Sequence, residues 1–103
     1  MPKLAEVAGL EGVELMEPFR HVTGVRVLGR YVVELDFDGT ERRIVDLEPL
    51  MEGPAFDELL ANYELYCRVA VDDDIATIAW PNGADLSPRT LYAHSRPSVP
   101  VSR

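Results

Sequence analysis

Ile75-Ala76-Thr77-Ile78-Ala79-Trp80-Pro81-Asn82-Gly83-Ala84-Asp85-Leu86-Ser87-Pro88, closing with Leu91-Tyr92, is the stretch that decides the fold. Its first six residues are β-like and make one strand. Pro81-Asn82-Gly83 reverses the chain. Ser87 then offers an N-cap hydroxyl, and Pro88 takes the first helical position, where a missing N–H costs nothing. Leu91 and Tyr92 stand where they can fold that short helix back onto a sheet. The only Trp of the chain lies here, so the rest is expected to pack around this run.

Upstream, Tyr66 to Val71 alternates Cys67, Val69 and Val71 with Tyr66, Arg68 and Ala70. It is expected to be a strand pairing with Ile75–Trp80 across the polar turn Asp72-Asp73-Asp74. Earlier still, Gly53-Pro54 opens a helix. Phe56, Leu59 and Leu60 share one stripe, Asp57 and Glu58 suit the positive end of the dipole, and Asn62 is its stop. Packing must hold so short a helix.

The first half reads as a meander. Val22 to Leu28 is a strand in which Gly24 marks a bulge or a close approach. Leu28-Gly29-Arg30 is a tight connection. Tyr31 to Phe37 alternates an apolar face (Tyr31, Val33, Leu35, Phe37) with Val32, Glu34 and Asp36. Asp38-Gly39 suits a hairpin turn needing positive φ. Glu41 to Leu47 returns, with its register open because Ile44 and Val45 cannot both face the core. The fold class is therefore α+β: a small antiparallel sheet with a three-stranded meander, a helix, a second hairpin and a short C-terminal helix, the helices on one face.

Length sets one domain for 103 residues. Residues 1–18 are expected to be an appendage, or an arm docking on a second subunit. Residues 19–94 are the domain, and 95–103 a flexible tail. One Cys makes no internal disulfide. Lys3 and four Glu before Pro18 are the wrong flank for a signal peptide. No apolar run nears the roughly 18 residues of a membrane helix. A cytoplasmic protein with no membrane contact is the expectation.

The formal charge is -8. Such a balance argues against direct nucleic-acid binding, which needs cations to displace counterions. It suits a basic protein partner, and equally a merely soluble surface. Arg20, Arg26, Arg30, Arg42 and Arg43 balance five acids in the same strands and are expected to be cross-strand partners.

Chemistry is sparse. His21 and His94 are far apart with no second ligand at helical spacing, and one Cys makes structural zinc a poor fit. Asp72-Asp73-Asp74 lacks the pattern of a calcium loop. Cys67, placed in a strand, reads as a small hydrophobe. There is no Gly-x-Ser-x-Gly elbow and no phosphate-cradling Gly loop. The only Lys is Lys3. Asp46, Asp57 and Asp85 sit at element ends, where capping is the usual role. No catalytic residue, cofactor or metal is assigned. The candidate binding or structural loop is Trp80, Asn82, Gly83 and Asp85 with Tyr92. In one reading Asp85 bonds loop amides. In the other, Trp80, Asn82, Asp85 and Tyr92 line a shallow polar-aromatic recess that takes a small molecule or a substrate.

Several of these stretches together resemble the bacterial domain of unknown function 2442. They are Val22–Val27, Phe37 followed by Asp38-Gly39-Thr40-Glu41, Val45-Asp46-Leu47-Glu48-Pro49-Leu50, Phe56-Asp57-Glu58-Leu59, and above all Trp80-Pro81-Asn82-Gly83-Ala84-Asp85-Leu86-Ser87-Pro88 with Leu91-Tyr92. The likeness covers Arg20 to Tyr92. An extra N-terminal segment and a shorter turn after Phe37 depart from the pattern. The resemblance implies a small α+β domain without assigned catalytic residues. It also implies an accessory role, because some relatives fuse the domain to a helix-turn-helix. Many lie beside a small protein in a toxin–antitoxin-like arrangement. The leading expectation is an accessory domain that binds a protein, basic in character and encoded nearby. The alternatives are the recess as a ligand or enzymatic site, and a transcription-regulator accessory acting through a partner. An open sheet edge also invites a homodimer.

Overall fold

Val33, Leu35 and Phe37 are fully buried, while Glu34 and Asp36 between them are not. This alternation fixes the central strand in the computed structural model, which describes residues 20–98. The expected appendage at 1–18 lies outside the described residues, as does the tail beyond 98. Three strands form the meander: β1 (Val22–Gly29), β2 (Val32–Phe37) and β3 (Glu41–Asp46). All pairs are antiparallel.

The open register resolves as Val33 opposite Val45 and Glu34 opposite Ile44. Val45 therefore joins the core and Ile44 takes the other face. The Asp38-Gly39 turn has φ of 57° and 77°. Gly24 sits at a register shift, and a Cβ there would fall 2.5 Å from Asp36 Oδ2. Both the bulge and the close approach are present.

After β3, a 3-10 turn (Glu48–Leu50) leads to α1 (Pro54–Ala61), with Pro54 in its first turn as expected. Asn62 ends α1 and caps a second helix, α2 (Tyr63–Tyr66), by accepting from Leu65 N at 3.1 Å. Here the structure corrects the sequence reading. Tyr66 and Cys67 belong to a helix and its C-cap, not to a strand, and Cys67 is exposed. The strand itself is short: β4 (Ala70–Asp72) pairs with β5 (Thr77–Ala79). The alternation from Tyr66 was accidental: Tyr66 is itself a core residue, and of the five that follow it only Val69 and Val71 pack against the core.

The final helix, α3 (Pro88–Ala93), starts as expected, with Ser87 Oγ accepting from Thr90 N at 3.1 Å. The chain does not fall loose at residue 95. Ser95–Pro97 forms β6, antiparallel to β3, so the main sheet runs β1-β2-β3-β6. Arg43 anchors it, its guanidinium donating to Ser95 Oγ and, at 3.1 Å, to Ser95 O. Pro97 is tolerated because β6 is an edge.

One face of the sheet meets the helices: Val33, Leu35, Phe37 and Val45 share a core with Phe56, Leu59, Tyr66, Ile78, Trp80 and Leu91. The other face carries an ion-pair ladder. Arg26 bonds Glu34 at 2.7 Å and Asp36 at 2.9 Å, and Arg42 bonds Asp36 at 3.1 Å. The expected cross-strand pairing of arginines holds for these two; Arg43 pairs instead with Glu41 of its own strand at 2.9 Å. Arg30 instead lies over the Tyr63 ring.

Hydrogen bonds hold three carboxyls below the usual range: Glu34 through Ser98 and Arg26, Asp36 through Arg26 and Arg42, Glu41 through Tyr92 and Arg43. A lowered folded pKa gives stability that is complete above the unfolded value, about 4. That stability is lost as pH falls through the lower folded values. Urea midpoints measured downward from neutral pH should therefore drop below about pH 4. Asp36→Asn should start lower and show a shallower decline.

Tyr66 is fully buried, yet its hydroxyl has no hydrogen-bond partner, and burial pushes its pKa up. An unsatisfied buried hydroxyl is a cost. Tyr66→Phe should leave stability unchanged or raise it by up to about 1 kcal/mol. Leu35→Ala, in the same core, should cost about 2–5 kcal/mol. Denaturant unfolding compares them directly.

Candidate functional site

The loop after β5 is built by its own backbone. Trp80 N donates to Ala84 O at 2.9 Å and Gly83 N to Trp80 O at 3.0 Å. Gly83 takes φ of 92°, which a side chain would resist. A single antiparallel bridge between Ala79 and Asp85 closes the turn. Thr77 Oγ1 then donates to Leu86 O at 2.6 Å, tying the exit of the loop to β5.

Trp80 is buried. Its ring meets Phe56 edge-on at 5.5 Å and stacks obliquely on Tyr66 at 6.1 Å. The indole Nε1–H donates to Tyr66 O at 2.9 Å. Asn82 clamps the same loop to α1: Nδ2 donates to Ala55 O at 3.0 Å and to Glu58 Oε1 at 2.9 Å. Its Oδ1 accepts from Ala84 N at 3.2 Å.

Trp80, Asn82 and Gly83 therefore come together, as a joint between the hairpin and the two helices. Asp85 is exposed, and its carboxylate has no hydrogen-bond partner among the described residues. The expected bond from Asp85 to loop amides is not made; the Asn82 side chain and the Ala84 carbonyl do that work. Tyr92 belongs to another cluster. Its OH donates to Glu41 Oε2 at 2.7 Å, its ring meets Phe37 edge-on, and Arg20 and Arg43 lie over it at 3.6 and 4.3 Å. That hydrogen bond to Glu41 raises the Tyr92 pKa.

The recess at Trp80 has different walls from those expected. It is an open hollow of about 420 Å³ whose lining includes Arg68, Ala70, Asp72, Asp73, Ala79 and Pro81, without Asn82, Asp85 or Tyr92. Arg68 and Asp72 read as a strand residue and a turn residue, not as lining of a recess, because the residues around Cys67 read as strand. The signal that could have placed them is Asn62, which works as an N-cap as well as a stop.

Among the described residues no group of three or more His, Cys, Asp or Glu is arranged to hold a metal. No helix among them is long and apolar enough to cross a membrane. Charge is unevenly spread. Residues 47–74 carry eight acids against Arg68 alone. Every ion pair among the described residues lies instead within Arg20–Arg43.

Residues 22–97 match the family model described as a protein of unknown function, DUF2442. No curated protein and no solved structure matches the chain.

Asn82→Ala should cost about 1–3 kcal/mol, since it strands the loop amide of Ala84 and frees the contact to α1. Asp85→Asn should stay within about 0.5 kcal/mol. Urea denaturation of the two variants separates a joint from a solvated side chain.

Proposed function

The chain belongs to the DUF2442 family, and from that premise we propose that it is a binding module for a basic protein partner. The role resembles that of the acidic member of a toxin–antitoxin-like pair, and the domain performs no catalysis of its own. One observation carries this reading: among the described residues the excess negative charge lies in residues 47–74, where no carboxylate is ion-paired. Glu34, Asp36 and Glu41 on the sheet are neutralised in place by arginines. Those on the helical half are left to an outside cation. A surface of one sign raises the encounter rate with a partner of the other sign and penalises like-charged competitors. The loop residues Trp80, Asn82 and Gly83 support the same reading, because their polar atoms are engaged in holding the fold.

Affinity capture of the full chain in the organism that encodes it, followed by mass spectrometry, tests the proposal. The captured chain should be basic. Its association rate should fall roughly ten-fold or more from about 0.05 to about 0.5 M salt. Recovery of the protein alone at native levels, or of an acidic partner with salt-independent binding, overturns the reading.

A further inference from the structure

We propose that the hollow on the outer face of the β4–β5 hairpin seats one basic side chain, a lysine or an arginine, presented by a protein partner. This rests on the basic-partner reading above and adds the place and the mode of contact. The hollow exists because Ala70 and Ala79 stand directly opposite each other in the ladder. Two methyl groups side by side leave a dip that larger neighbours surround. Val71, Trp80 and Pro81 line it with the two alanines, and its charged lining residues are Asp72 and Asp73, after Ala70 in the chain, and Arg68 before it.

The chemistry of the occupant follows from that layout. Its stem must be apolar, to lie on two alanines and a proline. Its head must be cationic, to reach two carboxylates that have no ion pair among the described residues. Ala70 and Asp72 are two residues apart on one strand face, about 6.7 Å along the strand. That is close to the reach of an extended lysine or arginine side chain, which covers apolar ground with its methylenes and keeps its charge in water. Arg68, two residues to the other side of Ala70, repels a cation and so sets the direction in which the side chain lies. Asp72 is already held, its Oδ1 accepting from Asp74 N at 2.9 Å. The second carboxylate oxygen is the one left for the guest.

The experiment is an NMR titration of the full, isotopically labelled chain with the capped tripeptide acetyl-Gly-Arg-Gly-amide. The neutral control is the same peptide with citrulline in place of arginine. The arginine peptide should shift the amides of Ala70, Asp72, Asp73, Ala79 and Trp80, and the citrulline peptide should not. The pair Asp72→Asn with Asp73→Asn keeps the acceptor for Asp74 and should weaken binding about five-fold. Glu48→Gln with Glu52→Gln removes the same charge elsewhere and should leave binding within about two-fold. Ala70→Leu fills the floor at unchanged charge and should weaken binding as the double asparagine variant does. Equal weakening by both charge-matched pairs, equal shifts from citrulline, or shifts scattered over residues 47–74 overturn the seat. So does capture of the basic partner at full affinity by the double asparagine variant, and that result leaves the partner reading standing. Failure of the wild-type chain to capture any basic partner overturns the partner reading and with it a protein as the source of the side chain, while the peptide titration still decides whether the hollow seats a cation.

Discussion

The side chain of Trp80 has one polar atom, and it donates to the carbonyl of Tyr66. That bond joins the last residue of α2 to the first residue after β5, across fourteen positions of chain. Around it the indole meets Phe56 from α1 and Tyr66 from α2. Neither helix is long enough to persist in water without packing. The second hairpin has only three residues per strand, also too few to stand unaided. Each of these elements is marginal alone, and they share one buried aromatic contact. Asn82 adds a polar clamp from the same loop to α1. Removing the joint would release two helices and a hairpin together, while the meander keeps its own ladder.

The two halves of the domain treat charge differently because their geometry differs. On the outer face of a sheet, side chains from neighbouring strands stand about 5 Å apart. An acid there can be answered by an arginine directly across or diagonally, as Asp36 is by Arg26 and Arg42. The acids of the helical half have no ladder opposite them. Their side chains project into solvent, and only one basic residue, Arg68, lies within residues 47–74. The sheet is close to neutral by cross-strand pairing. The helical half keeps its charge, which solubility alone could use but which also gives the molecule a polarity.

The meander was legible because alternation in Tyr31–Phe37 and the Asp38-Gly39 turn are local signals read correctly by local rules. The loop and α3 were legible for the same reason: Pro81-Asn82-Gly83 and Ser87-Pro88 announce a turn and a cap. Two elements were not. Residues 66–71 alternate by accident, and that pattern masked the N-cap signal of Asn62, which with the burial of Tyr66 under Trp80 makes residues 63–66 a helix. Ser95–Pro97 has the composition of a tail, and what orders it is Arg43, 52 residues away, whose guanidinium holds both the hydroxyl and the carbonyl of Ser95. Of the candidate loop, Trp80, Asn82 and Gly83 were placed together by sequence adjacency. Tyr92 was grouped with them by the same adjacency, and its phenol goes instead to Glu41.

β6 also bears on how the sheet can be extended. The meander alone would leave β3 as an open edge, the feature that suggested self-pairing. With β6 in place, the outermost strand is three residues long and ends in Pro97, which has no N–H to offer. Arg96 adds a charge to the same edge. At the opposite edge, Val22 N already donates to Ala76 O at 2.9 Å, so the second hairpin covers the start of β1. A second copy adding to this sheet would have to bypass a proline at one side or displace that contact at the other. A partner approaching the helical half meets neither obstacle. There the exposed acids outnumber the single Arg68, and recognition falls to side-chain shape and charge.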